Sequence, residues 1–178
     1  RHLFGFEVLP SQLQSINPVL VVLLIPLFSL LIYPTLARLM PVTPLGKIAV
    51  GFFVAIPSFI IPAWIESQIT LGLQPSVWWQ ILAYVFITSA EILISITCLE
   101  FSYTQAPPRL KSFIMALYLC SVSLGNVFTS LVNAWIEQHQ GSSALDGAGY
   151  YWFFVNCISV SAVLFLVVSR FYRGQTHL

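Results

Sequence analysis

The chain contains 178 residues, of which 58% are hydrophobic and only 7% are charged. A soluble domain carries roughly 25% charged residues, so a water-soluble fold of this length could not cover so much apolar surface, and the solvent must be lipid. The formal net charge is +1, and no basic run is present. Composition therefore gives no indication of nucleic-acid binding.

The cysteines and histidines do not form a recognisable site. Cys98, Cys120 and Cys157 all lie within apolar segments. Because a disulfide framework needs paired cysteines in accessible loops, we interpret these three as packing residues. The three histidines lie in the termini or in a loop, far apart in sequence, so we predict no metal site.

Five segments are long and apolar enough to cross a bilayer as helices. The predicted spans are about residues 17–36, 46–65, 77–100, 111–135 and 151–169. The segments between them contain turn residues: MPVTP (40–44), TLGLQPS (70–76), TQAPPR (104–109) and QGSSALDGAG (140–149). The sequence thus predicts an all-α polytopic membrane protein with one partial transmembrane bundle over residues 1–178.

The cations predict the orientation of this bundle. Six of the 7 lysines and arginines fall on one side: Arg38, Lys47, Arg109, Lys111, Arg170 and Arg173. By the positive-inside rule that side is cytoplasmic, which puts the N-terminus outside and the C-terminus in the cytoplasm. An odd number of spans agrees with this, and the short loops favour a bacterial inner (plasma) membrane.

Glu91 is the most unusual residue of the predicted third span. It lies about 21 Å along the helix from Val77, around or past the midplane, at 1.5 Å per residue. In a regular helix Thr88, Ser95 and Cys98 would share its face. A charge that faces lipid at this depth costs several kcal/mol, so we expect the face to look into protein or water. Without a cation at its depth the carboxylate would tend to hold a proton, which suits either proton coupling or binding of an ammonium group.

Other polar residues of the spans have structural interpretations. Glu100, half a turn away from Glu91 in a regular helix, lies near the cytoplasmic end, where we expect an ion pair with Arg109 or Lys111. Asn17 precedes a proline and by itself indicates a helix cap. One stripe of the fourth span fits helix packing and ligand lining equally well. It comprises Tyr118, Val122, Gly125, Thr129 and Val132, and Ser121, Asn126 and Asn133 flank it.

Several runs of sequence resemble one transporter family. LEFSYTQAP (99–107), then Lys111–Ser112, then SLGN (123–126) resemble the tenth and eleventh helices of the proton-dependent oligopeptide transporters, a family of the major facilitator superfamily. Three further runs resemble parts of its eighth, ninth and twelfth helices: QSINPVLVVLLIPLF (14–28), KIAVGFF (47–53) and YYWFF (150–154). The resemblance covers nearly the whole chain, in the right order.

The resemblance implies symport of di- and tripeptides with protons, through a cavity between two six-helix halves. It implies that Glu91 binds the amino terminus of the peptide, and that Asn17, Ser95 and Tyr118 lie at other substrate-binding positions. Tyr118 stands where most members have tryptophan. No substrate role carries over to Glu100. The implied partners are the bilayer, small peptides and N-terminal helices, with the proton as coupling ion and no cofactor.

The departures from the family predict an incomplete transporter. The chain resembles only the last five of at least twelve helices and lacks the coupling motif of the first helix. It also begins with Arg1 rather than methionine. We therefore expect part of a longer protein that is inactive alone, with the missing helices supplied in cis or in trans. The alternative is a non-transporting membrane subunit or a degenerate remnant, and a solute other than peptide, such as nitrate, remains open.

An intramembrane enzyme is the least supported interpretation. A membrane hydrolase needs a serine–histidine pair, paired aspartates or a metal motif within its spans. No histidine lies in a predicted span, and the single aspartate, Asp146, lies in a loop. We therefore predict that the chain is not an enzyme.

Overall fold

The computed structural model describes residues 2–3, 6–7, 16–39, 43–139, 145 and 147–172. Near the N-terminus, strands β1 (His2–Leu3) and β2 (Phe6–Glu7) pair antiparallel, with His2 opposite Glu7 and Leu3 opposite Phe6. The connections predicted at 40–42 and 140–144, together with Arg1, Asp146 and Arg173, lie outside the described residues.

The rest of the regular structure in the described residues is helical. Helix α1 (Ile16–Leu27) continues through a π turn, π1 (Phe28–Ile32), into α2 (Tyr33–Leu39). Helix α4 (Val77–Glu91) continues in the same way through π2 (Ile92–Ile96) into α5 (Thr97–Gln105). The other three helices are α3 (Pro44–Thr70), α6 (Lys111–Gln138) and α7 (Ala148–Phe171).

Five helical segments are long and apolar enough to cross a membrane, which confirms the all-α fold with five spans. Spans one to five are Ile16–Thr35, Pro44–Thr70, Val77–Gln105, Lys111–Gln138 and Ala148–Phe171. Four of them run beyond the predicted ends, the second and third by five residues at the C-terminal side. The apolar run decides which part of a helix lies in lipid, whereas caps and turns decide where the helix ends.

The ends of the second and third spans show these local signals. Thr43 caps α3, because its Oγ1 accepts a hydrogen bond from the Gly46 backbone N–H at 3.1 Å, and Pro44 follows at the first helical position. The same helix ends at Thr70, and Gly72, two residues later, has a φ of +78°, a left-handed conformation that glycine adopts without strain. Two prolines end the third span, at 107 and 108.

Helix α3 is the centre of the bundle. It packs along α7 on one side and along α4 on another, and it also touches π2 and α5. Aromatic pairs fill the contact with α7: Phe52 lies 5.4 Å from Phe165 and Phe59 lies 5.9 Å from Phe154, between ring centroids. Lipid competes with helices for apolar contacts, so close packing of this kind, rather than removal from water, holds spanning helices together.

The two π turns meet in the core. Phe28 of π1 packs against Ile92 and Leu93 of π2, and all three side chains are buried. Leu24, Ile32, Tyr33 and Val54 pack around them. The first span is therefore fixed to the third span at the depth where both helices depart from regular α geometry.

The fourth span is the least covered. Helix α6 packs mainly against α5, and none of its residues is buried. Its exposed side chains include apolar residues such as Leu131 and polar residues such as Ser121 and Asn126. A helix with polar groups exposed on a long face needs a protein or water neighbour in a bilayer.

We expect Phe28→Ala to destabilise the bundle by roughly 2 kcal/mol, because the packing contacts of the ring are lost and a cavity remains between the π turns. The measurement is the thermal unfolding midpoint in detergent. Leu27→Ala is the matched control, since Leu27 is 44% exposed on the same helix. Equal midpoints for the two variants would contradict a core at the π turns.

Candidate functional site

Glu91 lies at the midpoint of the third span. That span runs from Val77 to Gln105, so fourteen residues precede Glu91 and fourteen follow it. At 1.5 Å per residue, its α-carbon lies about 21 Å from either end of the helix. The side chain is exposed in this five-span bundle. A carboxylate thus stands at the middle of a helix that is long and apolar enough to span a membrane, on a face that the other described helices leave open.

One turn before Glu91, an interhelical hydrogen bond joins the third span to the first. Thr88 is fully buried, and its Oγ1 lies 2.5 Å from Asn17 Oδ1 and 2.8 Å from the Tyr84 carbonyl oxygen. A hydroxyl has a single proton to donate. If the Asn17 amide is rotated so that Nδ2 donates to Thr88, the hydroxyl can donate to the Tyr84 carbonyl and both contacts are satisfied.

One turn after Glu91, a second hydrogen bond joins the third span to the fourth. The Tyr118 hydroxyl donates to the Ser95 carbonyl oxygen at 3.2 Å. Both residues are half-buried. The fourth span therefore approaches the third just beyond the carboxylate, with the aromatic ring of Tyr118 in the contact. The predicted site residues Asn17, Ser95 and Tyr118 all lie within about one turn of Glu91 along the membrane.

The polar face predicted from regular helix geometry differs from the observed one. Thr88 is buried against the first span, whereas Glu91 is exposed, so the two do not share an environment. The π turn begins directly after Glu91 and takes up one residue more than an α turn. Residues that follow the turn, such as Cys98, are therefore rotated by about 100° from the positions expected in a regular helix.

The same extra residue changes the relation between the two glutamates of the span. Without it, Glu100 would lie half a turn around the axis from Glu91. With it, the nine-residue separation corresponds to about eight regular steps, or roughly 80°. Both side chains are exposed.

The charges around Glu91 leave it without a cation at its depth, in the part of the chain that the structure describes. The described cations all lie in loops or within one turn of a helix end: Arg38, Lys47, Arg109, Lys111 and Arg170. Each is many residues from the middle of its span. The carboxylate therefore needs water or a ligand cation to offset its charge.

The ion pair expected for Glu100 is not formed among the described residues. Lys111 Nζ instead lies over the Tyr103 ring, 4.2 Å from its centroid. Glu100 lines a cavity of about 260 Å³ together with Lys47 of the second span. The ion pair with Lys111 does not form because the turn at 106–110 places Lys111 at the start of a new helix, beside the Tyr103 ring.

A larger cavity lies at the other end of the bundle. It has a volume of about 450 Å³ and is bounded by α3, α6 and the start of α7. Its polar lining includes Glu66, Glu137 and Asn133. Glu91 does not contribute to it. A carboxylate at mid-span is costly in a bilayer, which indicates a functional role, whereas glutamates at helix ends reach water. Glu91 is therefore the centre of the candidate site.

Sequence reasoning missed two features of this site. Thr88 was expected to line the face of Glu91, but it fixes Asn17 to the third span. The π turn has no signature in hydrophobic periodicity, because one extra residue in an apolar run leaves the run apolar. Gly51, in the KIAVGFF run, was an available signal of a close helix approach, since small residues let spanning backbones come together.

The amino-acid sequence matches known transporters. The family model described as the POT family, PTR2, matches residues 1–153. The chain is 33% identical over 135 residues to "Probable peptide transporter ptr2" of Schizosaccharomyces pombe, which covers 68% of this chain and 22% of that protein. It is 26% identical over 199 residues to "Protein NRT1/ PTR FAMILY 5.14" of Arabidopsis thaliana, covering 94% of this chain and 35% of that protein. The chain thus spans about a fifth to a third of the length of these relatives.

Solved structures agree with the sequence matches. The crystal structure of an auto-inhibited POT family peptide transporter superposes with a TM-score of 0.88 at 31% identity, over 99% of this chain and 36% of that one. The in meso crystal structure of the POT family transporter PepTSo gives a TM-score of 0.84 at 34% identity, with the same coverage. Since the family model covers most of the sequence and solved members superpose on nearly all of the backbone, this chain belongs to the POT family.

Proposed function

We propose that this chain is the C-terminal part of a proton-coupled di- and tripeptide symporter, in which it supplies one wall of the substrate cavity. The observation that carries the proposal is Glu91, an exposed carboxylate at the midpoint of a spanning helix with no cation at its depth among the described residues. Membership of the POT family and the partial length of the chain support it. The five spans would then be helices eight to twelve of the whole transporter.

The chemistry of Glu91 suits the ammonium group of a peptide. A carboxylate accepts charge-assisted hydrogen bonds from an ammonium group, and these are roughly twice as strong as neutral ones. The pairing also offsets the charge that makes an isolated carboxylate costly at this depth. In this proposal Glu91 fixes the amino end of the peptide at the midplane, while proton coupling depends on helices that this chain does not contain.

The neighbouring residues would shape the cavity around the amino end. Asn17 reaches the site from the first span, where its side-chain amide contacts the Thr88 hydroxyl. Tyr118 presents an aromatic wall from the fourth span, fixed by its bond to the Ser95 carbonyl. An aromatic ring beside a bound ammonium group adds cation–π attraction.

The remaining walls would come from N-terminal helices, joined in cis or supplied in trans. Helix α6 carries polar side chains and has no buried residue, so its exposed face fits a protein or water-filled neighbour. By itself the chain would be a membrane protein without transport or enzymatic activity. The alternative is a membrane subunit that never transports and only packs against partners, which the same exposed face would also serve.

The proposed location is the plasma membrane, with the N-terminus outside and the C-terminus in the cytoplasm. The loop after α3 carries no cation, whereas the loop between α5 and α6 carries Arg109, with Lys111 at the start of the next helix. This asymmetry follows the positive-inside rule.

We expect Glu91→Gln in the complete transporter to lower uptake of dipeptides with free amino termini by about 10- to 100-fold. The lost charge-assisted interaction is worth roughly 1.5–3 kcal/mol, and each 1.4 kcal/mol is a factor of ten. The measurement is initial uptake of a labelled dipeptide, normalised to the amount of protein in the membrane. Glu100→Gln is the matched control. It removes a carboxylate from the same span, and we expect it to leave uptake at about the unmutated level. Uptake by Glu91→Gln at the unmutated level would rule out the proposed role.

We expect the 178-residue chain, reconstituted alone in liposomes, to take up no labelled dipeptide above protein-free vesicles when a proton gradient is applied. The physical reason is that one wall cannot enclose a substrate or alternate its access between the two sides. Co-reconstitution or fusion with the N-terminal helices should restore uptake. Failure of the joined halves to transport, with both present in the membrane, would favour the non-transporting subunit.

The orientation can be measured by labelling single cysteines after replacement of the three native ones. Leu73→Cys and Leu110→Cys form a matched pair, since these loop leucines are 56% and 50% exposed. We expect a membrane-impermeant maleimide to label position 73 in intact cells and position 110 only after permeabilisation, because position 110 is in the cation-rich loop. The reverse pattern would invert the proposed topology.

A further inference from the structure

Gly51 lies where the second span touches the π turn of the third. A β-carbon at this position would lie 2.6 Å from Ile94 Cγ1 and 3.0 Å from Leu93 Cβ. It would also lie 3.3 Å from the Ile94 backbone nitrogen. Contacts under 3 Å cannot form without movement, so any larger residue here must push against the side chains and backbone of π2. Small residues allow this degree of approach between spanning helices.

The segment that Gly51 touches begins at the functional carboxylate. Glu91 is the residue directly before π2, and the Ile92 backbone N–H bonds back to the Ser89 and Thr88 carbonyl oxygens. The Glu91 side chain is exposed, and the backbone that carries it leads directly into the turn. Its direction is therefore set by the backbone of the turn, and a shift of that turn moves the carboxylate.

The π turn is packed against the first span as well. Phe28 of the first span packs on Ile92 and Leu93, and all three side chains are buried. A push from position 51 therefore cannot be absorbed by moving π2 toward the first span, where packed side chains already fill the space. The displacement must go along or around the axis of the third span, toward Glu91 at one end and Ser95 at the other.

We propose that Gly51 is a positioning residue for Glu91: by admitting the π turn against the second span, it sets the direction in which the carboxylate faces the peptide. The proposal rests on the proposed role of Glu91 in binding the peptide ammonium group. Misplacement of a binding group by about 1 Å is enough to cost up to a hundredfold in function. Gly51 acts only through the third span and needs no contact with substrate.

The test is Gly51→Ala in the complete transporter, with affinity for the amino end as the readout. Two competitors are measured against labelled dipeptide: a free dipeptide and its N-acetylated form. The readout is the inhibition constant of the N-acetylated form divided by that of the free dipeptide, so a high ratio means preference for a free amino end. In Gly51→Ala we expect this ratio to fall by about tenfold and KM for the free dipeptide to rise by about tenfold, because only the ammonium contact is misplaced. A general loss of stability would lower the amount of protein but leave the ratio unchanged.

Two further variants separate the contact from the substitution itself. Ile94→Ala removes the atom nearest to position 51, so Gly51→Ala/Ile94→Ala should recover the ratio to within about threefold of the unmutated transporter. Val50→Ala is the matched control on the same helix, since Val50 is 41% exposed, and should leave both readouts unchanged. An unmutated ratio in Gly51→Ala, or a loss that Ile94→Ala does not relieve, would overturn the positioning role.

The outcome is kept separate from that of the proposed function by running Glu91→Gln beside it. If Glu91→Gln leaves the ratio unchanged, Glu91 does not bind the ammonium group and both ideas fall. If Glu91→Gln lowers the ratio to about one while Gly51→Ala leaves it at the unmutated value, only the positioning role of Gly51 is overturned. Should Gly51→Ala not reach the membrane, Ile94→Phe enlarges the same contact from the third span and must lower the ratio for the proposal to stand.

Discussion

The placement of a carboxylate, Glu91, at the middle of a membrane-spanning helix constrains the rest of the bundle. Hydrocarbon offers no solvation to an ionised group, so Glu91 must face water, protein or a ligand. The described helices leave this side chain open while they bury its neighbours Thr88, Ile92 and Leu93. The third span thus has a packed side, which holds it in the bundle, and an open side, which carries the charge.

The packed side depends on two π turns that meet each other. Each turn adds one residue to its helix and so changes which side chains face the neighbouring span. Phe28 from one turn and Ile92 and Leu93 from the other form a buried cluster. Gly51 of the second span also contacts the π turn of the third span, and it leaves no room for a side chain at that position. A departure from α geometry is tolerated here because three helices over-determine it, and such departures are frequent at functional sites.

The open side of the third span is left uncovered by the other described helices. Interhelical hydrogen bonds from Asn17 and Tyr118 reach the third span on either side of Glu91, but neither closes over it. The fourth span shows polar side chains and no buried residue. A transporter built from two halves must leave one face of each half uncovered so that the substrate can enter between them. This chain covers 36% of the length of a superposed POT family structure.

The sequence by itself determined the solvent, the number of spans and the depth of Glu91, because these follow from composition and from the rise of a helix. The resemblance to the family also predicted substrate contacts for Asn17 and Tyr118, and these contacts stay predictions. Only the tertiary structure decided which side chains share a face. The π turn rotated Cys98 and Glu100, which follow it, away from the positions of a regular helix, and Lys111 packed on Tyr103 instead of pairing with Glu100. One inserted residue leaves the apolar pattern of a span intact, so packing between helices, and not the pattern within one of them, fixes such details.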